Sequence, residues 1–158
     1  MKSDSKRIGA YSESSVGLIR RLPQQRPSVH LLEIGPGPDA LLTHMFLKAP
    51  AMTHPRTIIP TLIENDPRSA RAAGLTLSHH PHRIITGYST DPAIALMAKQ
   101  HLPLEGADIV TTEVMGNILS SEALPQILYS AMSAGLIGTP TPAAPQFAPT
   151  LCRPSAPP

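Results

Sequence analysis

Apolar residues along this chain gather into short solid runs, separated by stretches in which they recur at helical spacing. Val29-His30-Leu31-Leu32-Glu33-Ile34, Ile58-Ile59-Pro60-Thr61-Leu62-Ile63, His82-Arg83-Ile84-Ile85 and Ala107-Asp108-Ile109-Val110 are runs of strand length with little alternation. That is the pattern of strands buried on both faces. Between and after them, Ala40 to Lys48, Pro67 to Ala73, Pro92 to His101 and Ala123 to Leu136 read as helices. Asp66 is placed to cap the second of these, with Pro67 at its first helical position, and Pro125 is tolerated in the first turn of the last. Its stripe of Ile127, Leu128, Ala131 and Met132 is read as core. Ahead of the first strand, Ile8, Tyr11, Val16, Leu18, Ile19 and Leu22 form a looser helical pattern, with Ser12-Glu13-Ser14-Ser15 as its expected start.

Strand, turn and helix in alternation predict an α/β fold whose opening βα unit is Rossmann-like. The expected organisation is an N-terminal helix and linker over residues 1–28, a nucleotide-type domain over 29–138, and a Pro-rich tail over 139–158.

Composition narrows the function classes. A chain of 158 residues supports one domain with a sizeable core. The formal charge of +2 offers no electrostatic footprint for nucleic acid. Cys152 is the single cysteine, so no internal disulfide forms, in keeping with a reducing compartment. No apolar run approaches the roughly 18 residues of a membrane span. The basic segment Met1 to Arg7 has no apolar stretch behind it and is not a secretory signal. A cytoplasmic location is expected, with the nucleus as the second choice.

Three places carry candidate chemistry. At Glu33-Ile34-Gly35-Pro36-Gly37-Pro38-Asp39 a strand runs into a small-residue turn, so backbone can approach a ligand closely. The N-terminus of the helix that follows offers free N–H groups to a carboxylate. Glu64 ends the second apolar run, where a carboxylate can accept the two hydroxyls of a ribose. The stretch from Ala107 to Glu122 begins as a strand and ends in a loop holding Glu113 and Glu122, with turn-forming Gly116-Asn117 between them. Two converging carboxylates suit a guanidinium, which presents a planar fork of donors. His44, His54, His79, His80 and His82 have no Cys or acid at ligand spacing, so no metal is expected.

Residues 29 to 39 resemble motif I of class I S-adenosylmethionine-dependent methyltransferases. Glu113, Met115, Gly116 and Glu122 resemble, in order and spacing, the double-E loop of the protein arginine methyltransferases. Glu64-Asn65-Asp66-Pro67 is similar to a turn of that family's symmetric-dimethylating members, and Tyr11 to a tyrosine on its cofactor-covering helix. The likeness covers about residues 29 to 149. It implies S-adenosylmethionine as cofactor, held by Glu33, Gly35, Gly37 and Glu64, with Ser89 and Thr90 near the adenine. Glu113 and Glu122 would hold the arginine of a protein substrate for methyl transfer to its guanidinium nitrogen, and a dimer or partner subunit is in keeping with the family.

There are departures. Asp39 stands where the family has a third glycine, and its charge would crowd the cofactor's carboxylate end. The family's β-barrel and its Thr-His-Trp loop are missing, and the chain has no Trp. The Rossmann-like sheet is therefore expected to be incomplete, with residues 139–158 as a tail or the start of a barrel. Two other readings stay open. Leu32 to Pro38 also resembles motif I of the ribosomal RNA adenine-N6 dimethyltransferases, although Thr112 to Met115 departs from that family's Asn-Leu-Pro-Tyr-type motif. The third reading is a non-catalytic cofactor-binding or partner subunit.

Overall fold

The computed structural model describes residues 2–22, 27–49, 57–112 and 124–138. Its elements run α1 (Lys2–Arg21), β1 (Ser28–Ile34), α2 (Leu41–Lys48), β2 (Thr57–Glu64), α3 (Pro67–Thr76), β3 (Arg83–Thr86), α4 (Pro92–Lys99), β4 (Ile109–Thr112) and α5 (Leu124–Ser133). The strands form one parallel sheet in the order β3-β2-β1-β4.

Solid apolar runs become central strands because both faces of the sheet are covered. Leu32 and Ile34 of β1 pack with Ala95 and Ala98 of α4 and Ala131 of α5. Val29 and Leu31 point the other way, into a cluster with Ile19 of α1 and Phe46 of α2. A third cluster joins Leu62 of β2 to Ala73 and Leu77 of the α3 region. Helices α1, α2 and α3 thus lie on one face, α4 and α5 on the other.

Several expectations change in detail. Helix α1 begins well before Ser12 and runs through the serine cluster. The Ser15 hydroxyl donates to the Tyr11 carbonyl four residues back, at 2.8 Å, so this serine satisfies itself inside the helix instead of starting it. Leu18 is exposed, while Ile19 is buried. Met132 is exposed too; Ala131 and Leu136 occupy the core on that side. Pro60 sits in β2, an interior strand, where proline ordinarily breaks the ladder. It is tolerated because β3 pairs only with Thr61 to Glu64, so at Pro60 the strand has a partner on one side alone.

Asp66 caps α3, accepting from the backbone N–H of Arg68 and Ser69, as expected from the Asp-Pro pair. Asp91 caps α4 in the same way through Ala93 N–H, at 2.8 Å. After α5 the chain turns back to the sheet. Ala107 N–H donates to the Leu136 carbonyl at 2.8 Å, and Ile137 forms a parallel bridge with Ala107. Leu136 to Gly138 thus lie along the approach to β4. Lys99, at the end of α4, fastens this return: its ammonium donates to the carbonyls of Pro103 (3.3 Å), Leu104 (2.6 Å) and Gly135 (2.5 Å).

Candidate nucleoside-binding edge

Parallel pairing brings the C-terminal ends of all four strands to one edge, and the chain's order reverses there between β1 and β4. In open sheets of this kind such an edge is where ligands sit. The turn from β1 to α2 is built at this edge from residues with positive φ. Gly35 has φ 70°, Gly37 has φ 64°, and Ala40 has φ 43°. The first two are glycine for backbone reasons, since a side chain in this region costs roughly 1–2 kcal/mol. A Cβ added at Gly37 would meet nothing within 4 Å. The space above Gly37 is thus open, which is what close approach of a ligand to the backbone requires. Asp39, at the place of the missing third glycine, is exposed, and the next residue, Ala40, takes the left-handed conformation and is fully buried.

Glu64 organises the edge. Its side chain is 5% exposed. One carboxylate oxygen accepts from Gly37 N–H at 2.9 Å, the other from Asp66 N–H at 3.0 Å. Its backbone carbonyl accepts from Gly87 N–H, also at 2.9 Å, where β3 leaves the sheet. A single residue therefore ties the exits of β1, β2 and β3 together. Each carboxylate oxygen can take a second donor, so the hydroxyls of a ribose remain acceptable partners.

Glu33 lies differently from the sequence expectation. It is fully buried, and its Oε2 accepts from the Thr43 N–H at 3.1 Å and from the Thr43 hydroxyl. Its carboxylate is turned beneath α2 and does not open to the edge; it holds the turn from below. Ser89 is buried and Thr90 exposed in the connection from β3 to α4, which begins beside the Glu64 carbonyl. Glu113 and Glu122 lie outside the described residues, as do Met115 and Gly116. Thr43 was not legible as a site residue. Its signal was a hydroxyl on an otherwise apolar phase of the helix Leu41-Leu42-Thr43-His44-Met45-Phe46.

The described residues fit an adenosine-bearing amino acid at this edge. Gly37 offers open backbone, Glu64 a buried acceptor, and the first turn of α2 the amides of Leu41 and Leu42 as donors.

No protein-family model matches the chain, and no curated protein does. Among solved structures, the chain is similar to a protein of Listeria monocytogenes provisionally described as a class I S-adenosylmethionine-dependent methyltransferase. The TM-score is 0.51 at 13% identity, over 78% of this chain. The fold is Rossmann-like, and it is shared with this neighbour. This chain spans 40% of the length of that neighbour. Among the described residues, no helix is long and apolar enough to cross a membrane.

Proposed function

We propose that this chain binds S-adenosylmethionine at the C-terminal edge of its sheet and serves methyl transfer to a guanidinium nitrogen of a protein arginine. The observation that carries the cofactor half is the bridge from Glu64 to Gly37 N–H beneath open space. A buried carboxylate acceptor thus lies beside a side-chain-free backbone turn, which supports the reading of Glu64 as the ribose contact. The arginine half rests on the sequence, in which Glu113 directly follows the last residue of β4 and Glu122 completes the double-E spacing.

When bound, the cofactor supplies an electrophilic sulfonium methyl. The chain's own work is alignment: Gly37 and the α2 amides receive the amino-acid end, and Glu64 the sugar. A guanidinium keeps its proton, with a pKa above about 12. Glu113 and Glu122 would hold it and draw its charge away from the reacting nitrogen, so that proton loss accompanies or follows attack.

Calorimetry with S-adenosylhomocysteine, followed by methylation of a Gly-Arg-rich peptide, tests both halves. Binding and peptide labelling are expected. Glu113→Gln and Glu122→Gln should each cut turnover far more than cofactor affinity. Equal loss of both would contradict their roles, and an absence of S-adenosylhomocysteine binding would refute the cofactor half. Binding without methylation would favour a non-catalytic partner subunit.

A further inference from the structure

We infer that Thr43 is a positioning residue, which fixes the turn Gly35–Ala40 through the buried carboxylate of Glu33. The geometry stands by itself; its consequence for ligand binding rests on the nucleoside reading above. Helix α2 lacks an ordinary cap. Its N-cap residue is Ala40, in the left-handed conformation and without a side-chain oxygen. The first-turn N–H groups of a buried helix need acceptors, since an unpaired buried donor is costly. The first backbone bond begins only at His44 N–H, which donates to the Ala40 carbonyl at 2.9 Å. The acceptor comes from outside the helix. Glu33, at the end of β1, takes both the N–H and the hydroxyl of Thr43 on one oxygen.

Glu33, Ala40 and Thr43 are all at 0% exposure. A carboxylate buried this fully is tolerable where charge-assisted donors and a helix N-terminus face it. The pair closes a ring from strand to helix across ten residues, and everything between them is the ligand turn. Glu64 grips the same turn at Gly37 from the neighbouring strand. The turn is thereby held at two points, and the amides of Leu41 and Leu42 receive a fixed direction.

A hydroxyl that positions the turn and a side chain that merely fills space predict opposite orders of substitution. Valine keeps the shape of threonine and loses the donor; serine keeps the donor and loses a methyl. The test is amide hydrogen exchange over Gly35–Thr43 in the ligand-free protein, with S-adenosylhomocysteine affinity measured alongside. Removing the donor from a buried acceptor corresponds to exchange on the order of 10- to 100-fold faster in Thr43→Val. Thr43→Ser should restore both protection and affinity. Thr43→Ala is the second variant, because it differs from Thr43→Ser only in the hydroxyl, and its turn should exchange faster than the serine variant's. Wild-type protection in Thr43→Val with poorer protection in Thr43→Ser would overturn the inference, and so would equal exchange in the serine and alanine variants. Wild-type protein that fails to bind S-adenosylhomocysteine would sink the cofactor reading, while the serine-against-valine order still decides this one.

Discussion

Gly37→Ala separates what a residue costs the fold from what it costs a ligand. The added methyl meets no atom within 4 Å, so it brings no collision inside the protein. What it brings is a left-handed alanine at φ 64°. That conformation costs roughly 1–2 kcal/mol, and the lower freedom of alanine in the unfolded chain returns about 0.4–1 kcal/mol. The net loss is about 0–1.6 kcal/mol, a fall in Tm of a few degrees for a chain of this size. The same methyl occupies the space in which the cofactor is proposed to lie, so S-adenosylhomocysteine affinity should drop by at least ~10-fold, or about 1.4 kcal/mol. Gly87→Ala is the contrasting case. Its Cβ would lie 2.6 Å from both Cγ1 and Cδ1 of Ile94, at φ 151°. Overpacking of this kind adds about 1–3 kcal/mol to the backbone cost, so its Tm should fall further than that of Gly37→Ala. Thermal denaturation and calorimetry on both variants read the difference. A folded Gly37→Ala protein that binds S-adenosylhomocysteine as tightly as wild type would refute the placement of the ligand. A loss of stability equal to that of Gly87→Ala would refute the open space.

Three further outcomes are expected. Glu64→Gln leaves one acceptor oxygen for two backbone donors, Gly37 N–H and Asp66 N–H, so urea denaturation should show a loss of about 1–3 kcal/mol together with weaker S-adenosylhomocysteine binding; no change in either would contradict the bridge. His44 is held below its ordinary value of 6.5 by burial, then by the positive charges of Lys48 and His80. The unfolded chain therefore takes up a proton near pH 6.5 that the folded chain refuses, and stability should decline as the pH falls from that value towards the lower folded pKa. His44→Asn should flatten this part of a stability-against-pH curve, and an unchanged slope would count against the assignment. Ala40→Gly relieves roughly 1–2 kcal/mol of left-handed strain but loses a buried methyl and adds unfolded-chain freedom, together of similar size; chemical denaturation should find it near neutral, and a large loss would mean that the Ala40 methyl matters more than its backbone.

The strands and their turns were legible because solid apolar runs stop at Gly, Pro or an acid. Asp66-Pro67 was readable as a cap because the requirement is local: an oxygen two or three residues ahead of free N–H groups. The start of α1 was not, since Ser12 to Ser15 can either cap a helix or bond backward within one, and only the chain before them decides. The end of α5 misled for a related reason. Helical phase places Met132 beside Ala131, yet the space under the helix is filled by Ala131 and by Leu136 returning from beyond it. Glu33 was visible as an acid at a strand end, but its direction was not. Which side it takes depends on the pleat, and its partner Thr43 shows only when α2 is laid on the sheet. The double-E pair is a matter of sequence alone, because Glu113 and Glu122 fall outside the described residues.

Lys99 has a consequence for how this fold tolerates change. All three of its acceptors are main-chain carbonyls, belonging to Pro103, Leu104 and Gly135. A replacement side chain at Pro103 or Leu104 leaves the acceptor standing, so the junction can drift at two corners without coming apart, whereas Gly135, at φ 67°, is held by its backbone. The donor has no such freedom. An arginine would bring a flat fork to a point built for a compact, three-pronged head, so the side-chain part of the junction between the ends of α4 and α5 depends on the identity of one residue.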